Sequence, residues 1–257
     1  MANGKILVVL PTLGERLDSL AETLAAVDAQ RADVDLTLVV VMPAAAVAAR
    51  ELVGGYSAVI VDDPERGIST AINFGLAART DEEFYAWIGD DDLFRSRGLL
   101  TLLRLLGEHP EAVLSYGGCE YIDNAGKVLA VSNAGNLARF LLSWGPDLIP
   151  HPGTMIRLDA LEMVGGFDVT LKYAMDLDAF LKLRAHGSFV CTRTVVSAFR
   201  WHPDSLTVAN RLNSSRESES VKTRHLVPLL RPISPLWNYP IRWASSFAAR
   251  RVSAQAR

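Results

Sequence analysis

The sequence predicts an α/β fold: a parallel-sheet half of nucleotide-binding type, continuous with a mixed-sheet half. Short uninterrupted apolar runs recur at residues 5–10, 36–41, 58–61 and 84–88, as they do in strands covered on both faces. Between them lie stretches with helical spacing, such as Leu17, Leu20, Leu24 and Val27. Alternation of this kind calls for a parallel sheet with right-handed crossovers. After residue 100 the pattern changes to turn-linked strands, which brings antiparallel pairing into the same sheet.

The elements follow in order. Residues 5–10 form a strand stopped by Pro11-Thr12, and 16–30 form a helix. A second strand at 36–41 leads through Pro43 and an Ala-rich stretch to a helix ending near Leu52. The strand at 58–61 ends in Asp62-Asp63-Pro64, a helix spans 67–78, and the fourth strand ends at Gly89. In the second half a helix covers 99–106 and strands cover 112–116 and 120–122. Asp123-Asn124-Ala125-Gly126 reads as a hairpin turn into a strand at 127–131. A helix at 136–143, a strand at 154–157, a helical turn at 158–164 ended by Gly165-Gly166, a helix at 176–184 and a β-branched strand within 189–199 complete the pattern. No linker shows before about residue 203. The expected organisation is one domain over 1–207, divided at about residue 100, with a basic and aromatic extension over 208–257.

Composition narrows the function. A net charge of −3 over 257 residues argues against a general nucleic-acid binder. Cys119 and Cys191 supply neither a disulfide framework nor metal spacing. No window approaches the ~18 apolar residues of a membrane span, so the expectation is a cytoplasmic protein. From Val221 onward the chain carries Lys222, Arg224, Arg231, Arg242, Arg250, Arg251 and Arg257 and no acid, with Leu229, Leu230, Ile233, Trp237, Tyr239, Ile241, Trp243 and Phe247 among them. Aromatics beside basic residues suit an interfacial anchor on the inner face of a membrane. The plainer alternative is a tail packed on its own domain or on a second subunit of a homodimer.

The stretch that carries chemistry is Trp87-Ile88-Gly89-Asp90-Asp91-Asp92, an apolar strand ending in glycine and three successive acids. Like charges this close need a cation or donors, and Mg²⁺ or Mn²⁺ takes one or two such carboxylates with phosphate oxygens completing its shell. Ligands in open α/β sheets sit at the carboxyl ends of strands. The competing explanation is an N-cap for the helix at 99–106, but a cap needs one Asp and not three.

Four segments occur in register: Pro11-Thr12-Leu13-Gly14-Glu15-Arg16; Arg66-Gly67-Ile68-Ser69-Thr70-Ala71-Ile72-Asn73-Phe74-Gly75; Gly89-Asp90-Asp91-Asp92; and Gly165-Gly166-Phe167-Asp168 with Met175-Asp176-Leu177-Asp178. Together they resemble the family 2 glycosyltransferases over residues 5 to about 207. The resemblance implies the glycosyltransferase A-type fold, with the second half as acceptor side. It also implies inverting transfer of a sugar from a nucleotide-diphosphate donor to a hydroxyl of a saccharide or lipid-linked saccharide acceptor. It places Mn²⁺ or Mg²⁺ at Asp92, ribose or sugar contacts at Asp90 and Asp91, and the general base at Asp176. The Glu usual before that base is Met175 here, and the acidic base contact usual after the second strand is absent from Val41-Met42-Pro43.

Other expectations are looser. Thr12 and Arg16 lie near the expected nucleobase, although Thr12 also suits a helix cap. Arg66 suits a base or diphosphate, and Asp62 or Asp63 suits base or ribose unless Pro64 makes them a simple turn. Phe199-Arg200-Trp201-His202-Pro203-Asp204-Ser205-Leu206-Thr207 resembles the family's late Arg-x-His…Ser segment, which suits His202 to the metal shell or the diphosphate, an ordinary polar contact being the alternative. His151 could line the acceptor pocket, Asn73 ties loops together rather than touching sugar, Asp178 is solvated or structural, and Trp144 suits the core better than a stacking place on a sugar face. Nucleotidyltransferases share this kind of half but carry a Gly-rich basic loop after the first strand, and Pro11–Arg16 has one Gly and one Arg. A non-catalytic sugar-nucleotide-binding subunit of a polysaccharide assembly complex is the remaining alternative.

Overall fold

Alternation in sequence becomes alternation in space through one sheet buried on both faces. The computed structural model describes residues 4–133, 135–201 and 210–236. In the first half β1 (Ile6–Pro11), α1 (Leu17–Gln30), β2 (Leu36–Met42), α2 (Val47–Gly54), β3 (Ala58–Asp62), α3 (Ile68–Ala77) and β4 (Phe84–Trp87) follow one another. Strand β1 pairs in parallel with β2 and β4, and β2 with β3. Then come β5 (Leu93–Phe94), α4 (Gly98–Glu108), β6 (Ala112–Ile122), β7 (Val128–Ser132), α5 (Gly135–Leu141), β8 (Thr154–Arg157), α6 (Leu158–Met163), α7 (Met175–Leu183), β9 (Ser188–Arg200) and α8 (Arg211–His225). The sheet runs β3-β2-β1-β4-β8-β6-β9-β5, with β7 on β6. Antiparallel β8 joins the two halves by pairing with both β4 and β6.

Residues alternate between two apolar layers, as the two-residue period of a strand requires. Leu7, Val9, Val39, Val41 and Tyr85 face α3, α6 and α7, while Ile6, Val8, Leu10, Leu38 and Val40 face α1, α2 and α4. The expected α/β class is the one observed. The exceptions lie in the second half. Strands expected at 112–116 and 120–122 are one strand, β6, running through Gly117-Gly118. A Cβ at Gly117 would meet Val196 side-chain carbons at 2.7 Å, and one at Gly118 the Arg193 carbonyl at 3.2 Å, so these glycines mark the close approach of β9, and the pairing register shifts there.

Helix α8 had no forecast. It is polar all round, so apolar periodicity could not show it; its bonds do. Glu217 Oε1 accepts the backbone N–H groups of Lys172, Tyr173 and Ala174 at 3.0, 2.6 and 2.8 Å, just ahead of α7. Lys222 donates to the Gly145 carbonyl, and Arg224 pairs with Asp168 at 3.1 Å. His225 Nε2 lies 2.8 Å from Asp178 Oδ1. Asp178 is fully buried and also paired with Lys182 at 2.7 Å, so it is structural and not solvated. Trp144 is half-exposed, edge-on to Phe140, and not a core residue. Beyond α8, Pro228–Ile233 form a 3-10 turn with Leu229 exposed. The expected boundary near 207, and the tail from 237, lie outside the described residues.

Strand β9 presses on α4 as it does on β6. A Cβ at Gly98 would stand 2.3 Å from the Val196 carbonyl oxygen, and backbone cannot turn aside as a side chain can. Gly98→Ala is expected to lower unfolding stability by about 1–3 kcal/mol, read as a lower urea midpoint with an unchanged slope.

Candidate functional site

Past Trp87 the chain leaves β4 and sets Asp90, Asp91 and Asp92 in successive positions, each less than a tenth exposed. They do not cap α4, whose N-cap is Arg97 with no side-chain cap bond. Their charge is met by donors from both ends of the chain. Arg16 bonds Asp90 Oδ1 and Asp91 Oδ2, each at 2.6 Å. Thr12 donates its hydroxyl to Asp90 Oδ2 at 2.6 Å and accepts the Gly14 N–H at 2.9 Å. Thr12 therefore braces the aspartate loop, and α1 opens with no side-chain cap bond.

The other donor is Arg200, at the end of β9. Its N–H reaches Asp92 Oδ1 and its Nε the Asp91 carbonyl, both at 3.0 Å. Its Nη atoms reach the Asp123 and Asn124 carbonyls and Glu22, and Thr23 donates to the Asp92 carbonyl at 2.9 Å. Arg200 is 4% exposed and was not among the expected site residues, although it stands two positions before His202. A buried Arg has no periodicity to betray it. His202 lies outside the described residues.

Burial pushes the Asp90 carboxyl above its ordinary value, although Thr12 and Arg16 pull it back. Asp92 is pushed well above the usual range by burial and then by Asp91, which the Arg200 N–H only partly offsets. The surroundings of Asp92 thus disfavour its charged form more than the Arg200 N–H favours it. Among the described residues no three His, Cys, Asp or Glu side chains converge as a metal cage. The donor set suits a hard cation held by one carboxylate, with the remaining oxygens from a ligand.

The other expected carboxylate, Asp176, sits in the first turn of α7. Its Oδ1 accepts the Leu177 N–H at 2.8 Å, and its Oδ2 lies 3.0 Å from His151 Nδ1. The 3-10 turn His151–Gly153 precedes β8, and it packs against β4, β5 and β9. The His151 ring meets Trp87 edge-on at 4.1 Å between centroids. Asp176 is thereby tied to the carboxyl end of the same strand that carries the aspartate run. Met175, where the resemblance expects Glu, is buried and accepts the Ser69 hydroxyl at 3.0 Å.

The remaining expected residues have surroundings of their own. Asp62 pairs with Arg50, and Asp63 Oδ1 accepts the Glu65 N–H at 2.8 Å in a turn. Arg66 is exposed ahead of α3. Asn73 does tie loops together, exchanging bonds of 2.8 and 3.1 Å with the Phe167 backbone.

No family model and no curated protein matches the sequence. Solved structures do match the fold. A mannosyltransferase from Pyrobaculum calidifontis, PcManGT, solved with GDP-Man and Mn²⁺, superposes at a TM-score of 0.68 with 19% identity, over 98% of this chain and 74% of its own. TarS of S. aureus gives 0.59 with 16% identity, over 88% of this chain and 43% of its own. Its 1–349 fragment gives 0.59 with 15% identity, over 86% and 70%. The chain has the α/β fold of these glycosyltransferases.

Because folding raises the Asp92 pKa, its ionised form costs stability above the unfolded-state value, and acidification through the folded-state value relieves that cost. Asp92→Asn is expected to melt above the wild type at about pH 8, by about 2–4 °C for each kcal/mol relieved. The gap should close on acidification toward about pH 4, as the wild-type carboxyl protonates; differential scanning fluorimetry across pH measures it.

Proposed function

We propose that the protein is an inverting glycosyltransferase of the family 2 kind, moving a sugar from a nucleotide-diphosphate sugar to an acceptor hydroxyl. The observation that carries this reading is the pairing of two carboxylate groups at one sheet end: the Asp90–Asp92 run after β4 and Asp176, joined through His151 and Trp87. The shared fold with PcManGT, whose structure holds GDP-Man and Mn²⁺, supports it. We assign Thr12, Arg16, Asp90 and Asp91 to the donor's nucleoside and sugar side, with Asp62, Asp63 and Arg66 at its rim. Asp92 would hold Mn²⁺ or Mg²⁺ with the donor diphosphate, and His202, outside the described residues, would be the second protein ligand or a diphosphate contact. The ion supplies charge neutralisation for the departing diphosphate.

Asp176 accepts the proton of the acceptor hydroxyl as its oxygen attacks the anomeric carbon. The bond from that carbon to the diphosphate oxygen breaks with its electron pair leaving on the nucleoside diphosphate. A single displacement of this kind inverts the centre. The acceptor is a saccharide or lipid-linked saccharide of a cell-surface polymer or glycolipid.

Manganese with the matching nucleoside diphosphate or sugar nucleotide is expected to raise the melting temperature by about 5–10 °C at ~100 times its dissociation constant. Asp176→Asn should keep that shift while transfer falls about 10²–10⁴-fold; transfer at the wild-type rate would remove Asp176 as base. The exposed Leu229, Leu230 and Leu236 beside Arg231 support docking of the tail on an anionic membrane surface. In a liposome flotation assay the full chain should then rise with anionic vesicles and a chain ending at residue 225 should not; equal recovery of both in the unbound fraction rules docking out.

A further inference from the structure

We infer that His151 is the positioning residue of Asp176: a neutral imidazole whose Nδ1–H fixes one carboxylate oxygen from the buried side, leaving the other side of the carboxylate to the acceptor. The inference rests on the reading of Asp176 as the base, and it goes beyond that reading by naming what orients it.

The backbone that presents His151 is clamped. Thr154 donates its hydroxyl to the His151 carbonyl at 2.8 Å, and the Gly153 N–H reaches the Pro150 carbonyl at 3.0 Å. The ring stands in an aromatic shell: Trp87 edge-on at 4.1 Å, Phe180 at 5.8 Å and Phe167 at 6.3 Å between centroids. Nδ1 lies 3.0 Å from Asp176 Oδ2. Nε2 is buried and has no hydrogen-bond partner among the described residues.

That asymmetry selects a tautomer. With the proton on Nδ1, the imidazole donates to a carboxylate, and the orphan in the aromatic shell is a bare acceptor. With the proton on Nε2, a lone pair would face the carboxylate and a buried N–H would go unmet, which costs about 1–3 kcal/mol. Burial also lowers the imidazole pKa against the pull of Asp176, so the ring is neutral at neutral pH. Among the described residues Asp176 is the ionisable group that acts on it; Tyr85, the titratable side chain of β4, is held un-ionised by burial.

The same geometry decides which member of the pair meets the acceptor. His151 Nε2 is walled off from solvent, so no hydroxyl reaches it without displacing the aromatic shell. The Asp176 side chain keeps 22% of its surface open, and each of its oxygens makes one bond here, leaving lone pairs for a hydroxyl. A neutral donor has a further advantage over Lys or Arg at this place. A full positive charge beside a carboxylate favours its ionised form, whereas a neutral N–H brings no net charge to the pair. Met175, turned to Ser69, takes no part in this.

The tautomer is a readout that a purely structural role would not set. In the full chain labelled with ¹⁵N-histidine, the His151 resonances, identified among the five histidines by their loss in His151→Phe, are expected to report a neutral ring protonated at Nδ1. In Asp176→Ala the proton should shift to Nε2. An Nε2-protonated or cationic ring in the wild type at neutral pH overturns the inference. Kinetically, His151→Phe keeps the ring packing and loses the donor, and kcat should fall about 10–100-fold with the donor KM unchanged. His151→Asn, whose amide stands where Nδ1 stood, should recover most of the rate, and His151→Gln, which mimics Nε2, should not. Wild-type kcat in His151→Phe also overturns it. If the wild type transfers sugar from no donor, the functional reading fails, and the tautomer alone then decides whether His151 donates to Asp176. If His151→Phe does not fold, His151→Asn identifies the signal and the response to Asp176→Ala still decides.

Discussion

The repulsion among three neighbouring carboxylates is the constraint that the rest of this molecule answers. A sheet end with low water content makes each charge more expensive, and Asp90, Asp91 and Asp92 are all buried. Arg16, from the loop after β1, grips the first two by their side chains. Arg200, from the last strand of the sheet, bonds the third and the backbone between. One partner comes from near the start of the chain and the other from near the end of the sheet, so the loop draws the two halves of the domain onto each other. Asp92 is left with its charged form disfavoured. A cost of this kind is tolerated where a ligand later meets it.

The second half answers a different need, which is to hold a carboxylate still without cancelling it. Asp176 begins α7, and the backbone ahead of that helix is gathered by Glu217 through three consecutive N–H groups. Asp178, on the buried side of the same helix, is locked by Lys182 and His225. Helix α8 thus contributes little apolar burial and much orientation, which explains why it can be polar on every side and still form.

What could be read in advance follows from this division. Parallel strands buried on both faces are continuous apolar runs, so β1 to β4 show plainly in sequence. The aspartate run is visible because charge at a strand end has few uses. Two signals misled for physical reasons. Gly117-Gly118 looked like a break, but a glycine also serves where another backbone comes within contact. Trp144 looked like core because it is large, yet Phe140 beside it is exposed as well. Asp178 stood open between a solvated and a structural role, and only tertiary pairing with Lys182 and His225 could decide for the second. Arg200 and His151 matter through what they touch, at separations of 108 and 25 residues from Asp92 and Asp176, and no local pattern encodes such contacts. The pairing of Asp62 with Arg50 is hidden in the same way.

The place of Arg200 at the end of β9 bears on how the chain comes into being. On the ribosome the aspartate loop emerges more than a hundred residues before the guanidinium that seals it, and β5, which follows the loop, finds its partner only in β9. During that interval the nascent sheet ends in an edge and an unanswered charge. An unpaired edge and an unanswered charge are both features that expose a partly made chain to wrong associations. The aspartate loop is therefore completed only once β9 has been made, and a chain released before residue 200 carries the acids without the Arg200 bonds to Asp91 and Asp92.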